Sequence, residues 1–343
     1  MTSAGGPLGY ASEARVGGLG GYAPEASTNV TVSTMRFAIS LPQSCPDGSF
    51  DPAAFAAYVL RAEELGFESA WAMDQTFGRA PRLNALETMT FAAACPTRLR
   101  LGCSVWISPL HQPVQLAKSL STLDQLSRGR VEVGLGSGGQ YRMFSAFGMT
   151  GDGLITRFAE GIEIMKALWT QPEVTFDGRF YQLREATMEP KPVQKPRPPI
   201  WLGGAAPPAV RRAARLGDGF FGAGSSTTAA FADQVTVLRE ALTEQGRDPA
   251  GFPVAKRIYI AIDDDTDRAR TRMAEGLTGV YGPAFGSTLL PVTVTGNAAD
   301  CVRGVQAVAD AGAGLILLTA LFDETAQMER LAAEVVPAIS SGA

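Results

Sequence analysis

RLRLGCSVWISPLHQPVQLAKSLSTLDQLSRGRVEVGLGSGG, residues 98–139, sets a strand, a helix and a second strand end to end. RLRLGCSVW is a short run of mostly apolar, strand-forming residues. QPVQLAKSLSTLDQLS then spaces its leucines at helical period, with Pro113 where a first helical turn tolerates proline and Gly129 where helices commonly stop. RVEVGL, from Arg130, opens a second strand. Strands that read as near-continuous apolar runs are buried on both faces, as they are when a parallel sheet is covered by helices.

The same alternation extends outward in both directions. Before this stretch lie the strand candidates MRFAISL from Met35 and ESAWAM from Glu68; after it come PIWLGG from Pro199, DGFFG from Asp218, VAKRIYIAI from Val254 and AGLILLT from Ala313. Helical segments separate them, among them PAAFAAYVLRAEELG, LNALETMTFAAA, LITRFAEGIEIMKALW, PPAVRRAARLG and ADCVRGVQAVADAG, with two more near residues 231–245 and 266–277. Pro52 opens a helix as Pro113 does, and Gly66, Gly217 and Gly312 sit at helix ends. Eight strands, each followed by helix, predict an α/β fold closed into a (β/α)8 TIM barrel; an open doubly wound sheet is the competing architecture. Residues 171–198, with DGRFYQL suggesting a hairpin, and residues 281–295 exceed ordinary loop lengths, and such insertions on a barrel are lids or substrate walls. Residues 1–34 are mostly Gly, Ser, Ala, Thr and Pro, with Tyr10 and Tyr22 as the aromatic residues, so a disordered extension is expected there, followed by one domain over 35–343. Met35 opens the first strand directly and is, beside Met1, a candidate start of the functional chain.

Composition narrows the chemistry. The chain has 343 residues, 19% of them charged, with 38 glycines, four cysteines and one histidine, His111. The net charge of −4 is spread without a basic stripe, so neither nucleic acid nor an anionic membrane is an expected partner. No apolar run approaches the roughly 18 residues of a spanning helix, and the amino end lacks signal-peptide character; a cytoplasmic protein is expected. Cys45, Cys95, Cys103 and Cys301 are too widely spaced for a metal-binding or redox pair and read as reduced, packed thiols. A single histidine excludes HExxH zinc chemistry, and no GxSxG elbow exists.

In a barrel the reactive groups lie at the carboxyl ends of the strands. Here these are Ser40, Gln43, Asp74, Gln75, Ser104, Val105, Trp106, Ser137, Gly138, Gly203, Gly204, Gly222, Ala223, Asp263 and Thr319. They are mostly small and polar, which favours a bound organic cofactor as the agent of chemistry. GLGSGG (134–139) satisfies GxGxxG, but a glycine-rich loop comes after it in place of the required helix. GGAAPPAVRRAA, from Gly203, ends a strand in two glycines and opens a helix with two prolines, so unobstructed amides and a helix amino end converge as a phosphate requires. Asp74 either hydrogen-bonds a cofactor or caps the segment after it. His111 is either an acid or base or a structural group in a proline-rich turn. Arg157 either reaches a phosphate or pairs with Glu160 or Glu163, and Trp106 and Tyr141 either line a pocket or belong to the core.

LGCSVWISPLHQPVQLAKSLSTLDQLSRGRVEVGLGSG, TRFAEGIEIMKALW and PPIWLGGAAPPAVRRAARLGDGFF together resemble the bacterial luciferase-like superfamily of flavin- and deazaflavin-dependent oxidoreductases, over residues 35 to 339 and most specifically over 99–222. The resemblance implies the barrel, with insertions at its carboxyl-terminal face, and a cofactor ring lying against a non-proline cis peptide on the third strand, here Ser104–Val105. It also implies that Asp74, Ser137 and Gly138 contact the cofactor and that the amides of Gly203, Gly204 and Ala205 hold its phosphate. GCSVWISP with GLGSGG resembles the branch using coenzyme F-420, which implies hydride transfer to or from a small, largely apolar substrate. The alternatives are an FMN-dependent monooxygenase fed by a separate reductase and a non-catalytic flavin-binding member. Gln75 stands where many deazaflavin members have histidine, and Gly139 where sugar-phosphate dehydrogenases have a glutamate, which argues against sugar-phosphate oxidation. His111, Tyr141 and Asp74 remain the acid or base candidates. A homodimer is the assembly the family implies.

Overall fold

The computed structural model describes residues 35–340 apart from 46–47, 79 and 139–143, so the expected extension at 1–34 lies outside the described residues. All eight expected strands are present: β1 (Arg36–Ser40), β2 (Ser69–Ala72), β3 (Arg100–Ile107), β4 (Val131–Gly136), β7 (Ile200–Gly203), β8 (Gly219–Gly222), β9 (Val254–Ile262) and β11 (Leu315–Thr319). Each pairs parallel with its neighbours in that order, β8 pairs with β9, and β11 returns to β1, which closes the barrel. The open-sheet alternative is thereby excluded. A short strand β10 (Val294–Gly296) adds to the carboxyl half of β9, and β5 (Val174–Asp177) with β6 (Gln182–Ala186) forms the expected antiparallel hairpin.

The helices α1 (Pro52–Glu64), α2 (Ala85–Ala94), α3 (Pro113–Leu126), α4 (Leu154–Thr170), α5 (Pro207–Leu216), α6 (Thr228–Glu244), α7 (Thr266–Tyr281) and α9 (Ala298–Asp310) fill the connections. Their ends obey local chemistry. Asp51 accepts the amides of Ala53 and Ala54 ahead of α1, and Gly66 and Gly129 take the left-handed turn that ends α1 and α3. Two short helices went unread in the sequence, α8 (Pro283–Leu289) inside the 281–295 insertion and α10 (Glu324–Arg330) after β11.

The floor beneath the barrel mouth is aromatic. Trp71, Trp201 and Phe221 meet edge to face inside the barrel with ring centroids 4.8 to 6.3 Å apart, packed with Ala38, Ala255, Leu315 and Leu317. Two strand glycines make room for the indoles: a Cβ at Gly102 would lie 2.4 Å from the Trp71 ring, and one at Gly219 would lie 2.5 Å from that of Trp201. All four cysteines are buried and free, and no helix among the described residues is long and apolar enough to cross a membrane.

Candidate functional site: a cavity over the aromatic floor

A cavity of about 630 Å3 opens at the carboxyl ends of the strands, with Phe221 of the aromatic floor in its wall. On β3 the regular alternation of side chains breaks. Ser104 and Val105, neighbours in sequence, both line the cavity; the peptide bond between them is cis, and the register against β4 shifts between Cys103 and Trp106. The Ser104 hydroxyl oxygen is buried and has no hydrogen-bond partner.

The glycines of β4 answer this irregularity. A Cβ at Gly134 would lie 2.0 Å from the Cys103 carbonyl oxygen, and one at Gly136 would lie 2.7 Å from Val105 Cγ2. The first two glycines of GLGSGG therefore admit β3 and form no dinucleotide fingerprint. Ser137 and Gly138, next in line, lie in the cavity wall.

The turn from β7 into α5 forms a second wall through Gly203, Gly204, Ala205, Ala206 and Ala209. Ala206 caps α5 without a side-chain hydrogen bond, Pro207 and Pro208 carry no N–H, and the amides of Ala205 and Ala206 meet no acceptor among the described residues. Arg212, one turn into α5, also lines the cavity, its guanidinium 5.6 Å from the Phe158 ring centroid. The two glycines differ. A Cβ at Gly203 would meet only ordinary contacts, at 3.4 Å from the Phe221 carbonyl oxygen, whereas one at Gly204 would lie 2.5 Å from Ala209 Cβ.

The third wall escaped the sequence reading. Alternate residues of β9 point inward: Ala255 joins the barrel interior, and Arg257 and Tyr259 line the cavity, while Ile258 and Ile260 pack outward. Strand periodicity and the basic pair Lys256–Arg257 in an otherwise apolar strand are the signals the sequence carries for it. The strand's end, Asp263, is not in the cavity wall. Its carboxylate takes the Arg268 guanidinium and the Asp265 amide, which hold it down to about 2. Lys256 points outward and donates to the carbonyls of Ala223 and Ser226, fastening a loop whose Ala223, Gly224 and Ser225 face the cavity; burial pushes its amine down to about 7. The insertion at 281–295 supplies Tyr281, Phe285 and Leu289 to the cavity wall. The Tyr281 hydroxyl bonds that of Tyr259 and donates to Met73 Sδ, and burial pushes the Tyr281 hydroxyl's pKa well up.

Other expectations resolve differently. Asp74 and His111 come together, Oδ2 lying 2.9 Å from Nε2, and the same oxygen accepts the Ile107 amide at 3.1 Å; neither residue lines the cavity. Asp74 thus holds the exit of β3 and caps no helix. Trp106 is core, with its ring centroid 5.6 Å from that of His111. Tyr141 and Gly139 lie outside the described residues. Arg157 pairs with neither Glu160 nor Glu163 and instead stacks on Phe180, 4.3 Å from the ring centroid, because Glu160 is taken by the amides of Arg179 and Phe180. Residues 171–198 pack through such contacts against α3 and α4 and contribute nothing to the cavity wall, so the lid expected there is a brace. Among the described residues no group of side chains could hold a metal.

Known proteins share this outline. The sequence model of the luciferase-like monooxygenase family matches residues 32–336. An F-420-dependent glucose-6-phosphate dehydrogenase of Kineococcus radiotolerans is 29% identical over 84% of this chain and 93% of its own. An FMNH2-dependent dimethylsulfone monooxygenase of Pseudomonas putida is 30% identical over 62% of this chain and 59% of its own. In structure, an F-420-dependent secondary alcohol dehydrogenase superposes with a TM-score of 0.75 at 19% identity, covering 90% of this chain and all of the other, a likeness of fold.

Proposed function

Because the chain belongs to the luciferase-like monooxygenase family, we propose that it is an oxidoreductase moving a hydride between deazaflavin coenzyme F-420 and a small organic substrate with a largely apolar body. The observation that carries this reading is one cavity in which a buried, unpartnered Ser104 hydroxyl faces a turn with free amides and an arginine. Unpaired buried polar groups cost free energy, and a polar cofactor with a phosphate meets both needs. The bound deazaflavin supplies the hydride chemistry. In this reading Ser104, Val105, Ser137 and Gly138 lie along its ring system, and Gly203, Gly204, Ala205 and Arg212 hold its phosphate. Asp74 and His111 fix the exit of β3 and thereby the position of the 104–105 backbone. Tyr141 stays a candidate proton carrier with them.

Sugar-phosphate oxidation, the activity in the names of several relatives, fits poorly. Gln75 is engaged by the carbonyls of Phe77 and Val280 and carries no acidic proton. A second reading, an FMN-dependent monooxygenase served by a separate reductase, rests on the relative named FMNH2-dependent. A homodimer rests on the family resemblance, and sedimentation tests it; a cytoplasmic location rests on the sequence character of the chain, and cell fractionation tests it.

Anaerobic fluorescence titration of the purified protein distinguishes the cofactors. The expected result is saturable binding of F-420 with FMN at least tenfold weaker. Tight FMN binding with oxygen-dependent turnover would transfer the assignment to the monooxygenase.

A further inference from the structure

The cavity wall carries two charged side chains among the described residues, Arg212 and Arg257, and no carboxylate. Arg212 stands beside the turn that a cofactor phosphate would occupy. Arg257 stands on β9, across β8 from β7 and α5, and that phosphate leaves it unexplained.

Arg257 is 8% exposed, yet it makes no hydrogen bond and no ion pair, and its Nε is buried without a partner. Its charge disfavours the protonated forms of Lys256, on the opposite face of the strand, and of Arg82. Glu324 shares a small void with Arg82 and Arg257 but lies within ion-pair distance of neither. An ionised group held out of water without a counterion is costly, so a site built this way is completed by an anion brought from outside. On the cavity side the wall it shares is largely apolar or aromatic, with Phe221, Tyr259, Tyr281, Phe285 and Leu289, whereas the small void behind it also holds the polar side chains of Ser40, Gln43 and Thr319.

We propose that Arg257 is the binding residue for a carboxylate on the substrate, so that the molecules turned over here are acids with an alkyl or aryl body. The proposal rests on the cavity being the substrate site of the oxidoreductase described above. One guanidinium offers two parallel N–H donors and one positive charge, which matches a carboxylate in geometry and in charge. A phosphate monoester is dianionic and would leave one charge unmet. The aromatic wall takes the hydrocarbon body and gives sugar hydroxyls few partners.

Calorimetry on the full chain, with and without bound F-420, tests this using octanoate, octan-1-ol, benzoate, benzamide and glucose 6-phosphate. The expected result is that each acid binds at least about tenfold more tightly than its neutral counterpart. Arg257→Met should abolish that preference, Arg257→Lys should restore part of it, and F-420 affinity should stay within about threefold in both. Because the methionine variant removes an unpaired buried charge, its melting temperature should equal or exceed that of the wild type; if it fails to fold, the wild-type preference and the lysine variant still decide. Equal affinity for acid and neutral partner in the wild type overturns the proposal, as does tighter binding of glucose 6-phosphate, or loss of F-420 in place of the acid in Arg257→Met. Octanoate binding with no affinity for F-420 would sink the deazaflavin assignment and leave this one standing; the reverse pattern would do the opposite.

Discussion

Gly203 and Gly204 are adjacent and chemically identical, and the cavity separates their roles. At Gly203 a side chain has room, and that room is part of the cavity wall where free amides stand; at Gly204 the missing side chain lets α5 pack close through Ala209. Gly203→Val should therefore fold with a melting temperature within about 3 °C of wild type while raising the F-420 dissociation constant at least tenfold, about 1.4 kcal/mol. Gly204→Val overpacks a helix contact and should lose about 1–3 kcal/mol of stability along with the cofactor. Thermal denaturation and fluorescence titration of both variants read the two quantities. Equal loss of both in Gly203→Val would make the turn a packing feature.

The elements divide into those that periodicity reveals and those it hides. The eight barrel strands were legible because burial on both faces makes each a continuous apolar run, and the phosphate turn was legible because GGAAPP is chemically unusual. Helix α8 was not: seven residues, PAFGSTL, with a proline and a glycine, are too short to show a period, so its wall-forming Phe285 and Leu289 read as loop. Val105 was legible as a residue at a strand end, but its place beside Ser104 on one face followed from the family resemblance alone, since strand alternation cannot place two consecutive residues on one face. Arg257 and Tyr259 were missed because they sit inside a strand, below its tip. The α7–α8 wall also has a tether in Gln75, whose side chain donates to the Val280 carbonyl at 2.9 Å, just before the left-handed turn at Gly282. Gln75→Ala should speed amide exchange across 277–290 by about tenfold, weaken binding of apolar substrates and barely change global stability. Unchanged exchange in that segment would show that α8 is held by its own packing.

Across the whole molecule, the half-buried Glu324 and the buried Lys256 set opposing dependences of stability on pH. Burial raises the Glu324 carboxyl from 4.5 to about 7, opposed by the charge of Arg82; burial lowers Lys256 from 10.5 to about 7, with Arg257 adding to the effect. For Glu324 the folded state binds the proton more tightly than the unfolded chain. Its contribution is complete below about pH 4.5 and is lost as pH rises to 7. For Lys256 the unfolded chain holds the proton more tightly, so the penalty is full below about pH 7 and lifts as pH climbs toward 10.5. A pKa unit corresponds to about 1.4 kcal/mol, so each limb amounts to a few kcal/mol, and together they place a minimum near neutrality. Denaturant unfolding at pH 5, 7 and 9.5 should show Glu324→Gln with a flattened slope between pH 5 and 7 and an unchanged one above. Lys256→Met should flatten the alkaline limb alone, at the cost of leaving the Ala223 and Ser226 carbonyls without their donor. Slopes in both variants matching the wild type would mean that neither group keeps its shifted proton affinity in the folded protein.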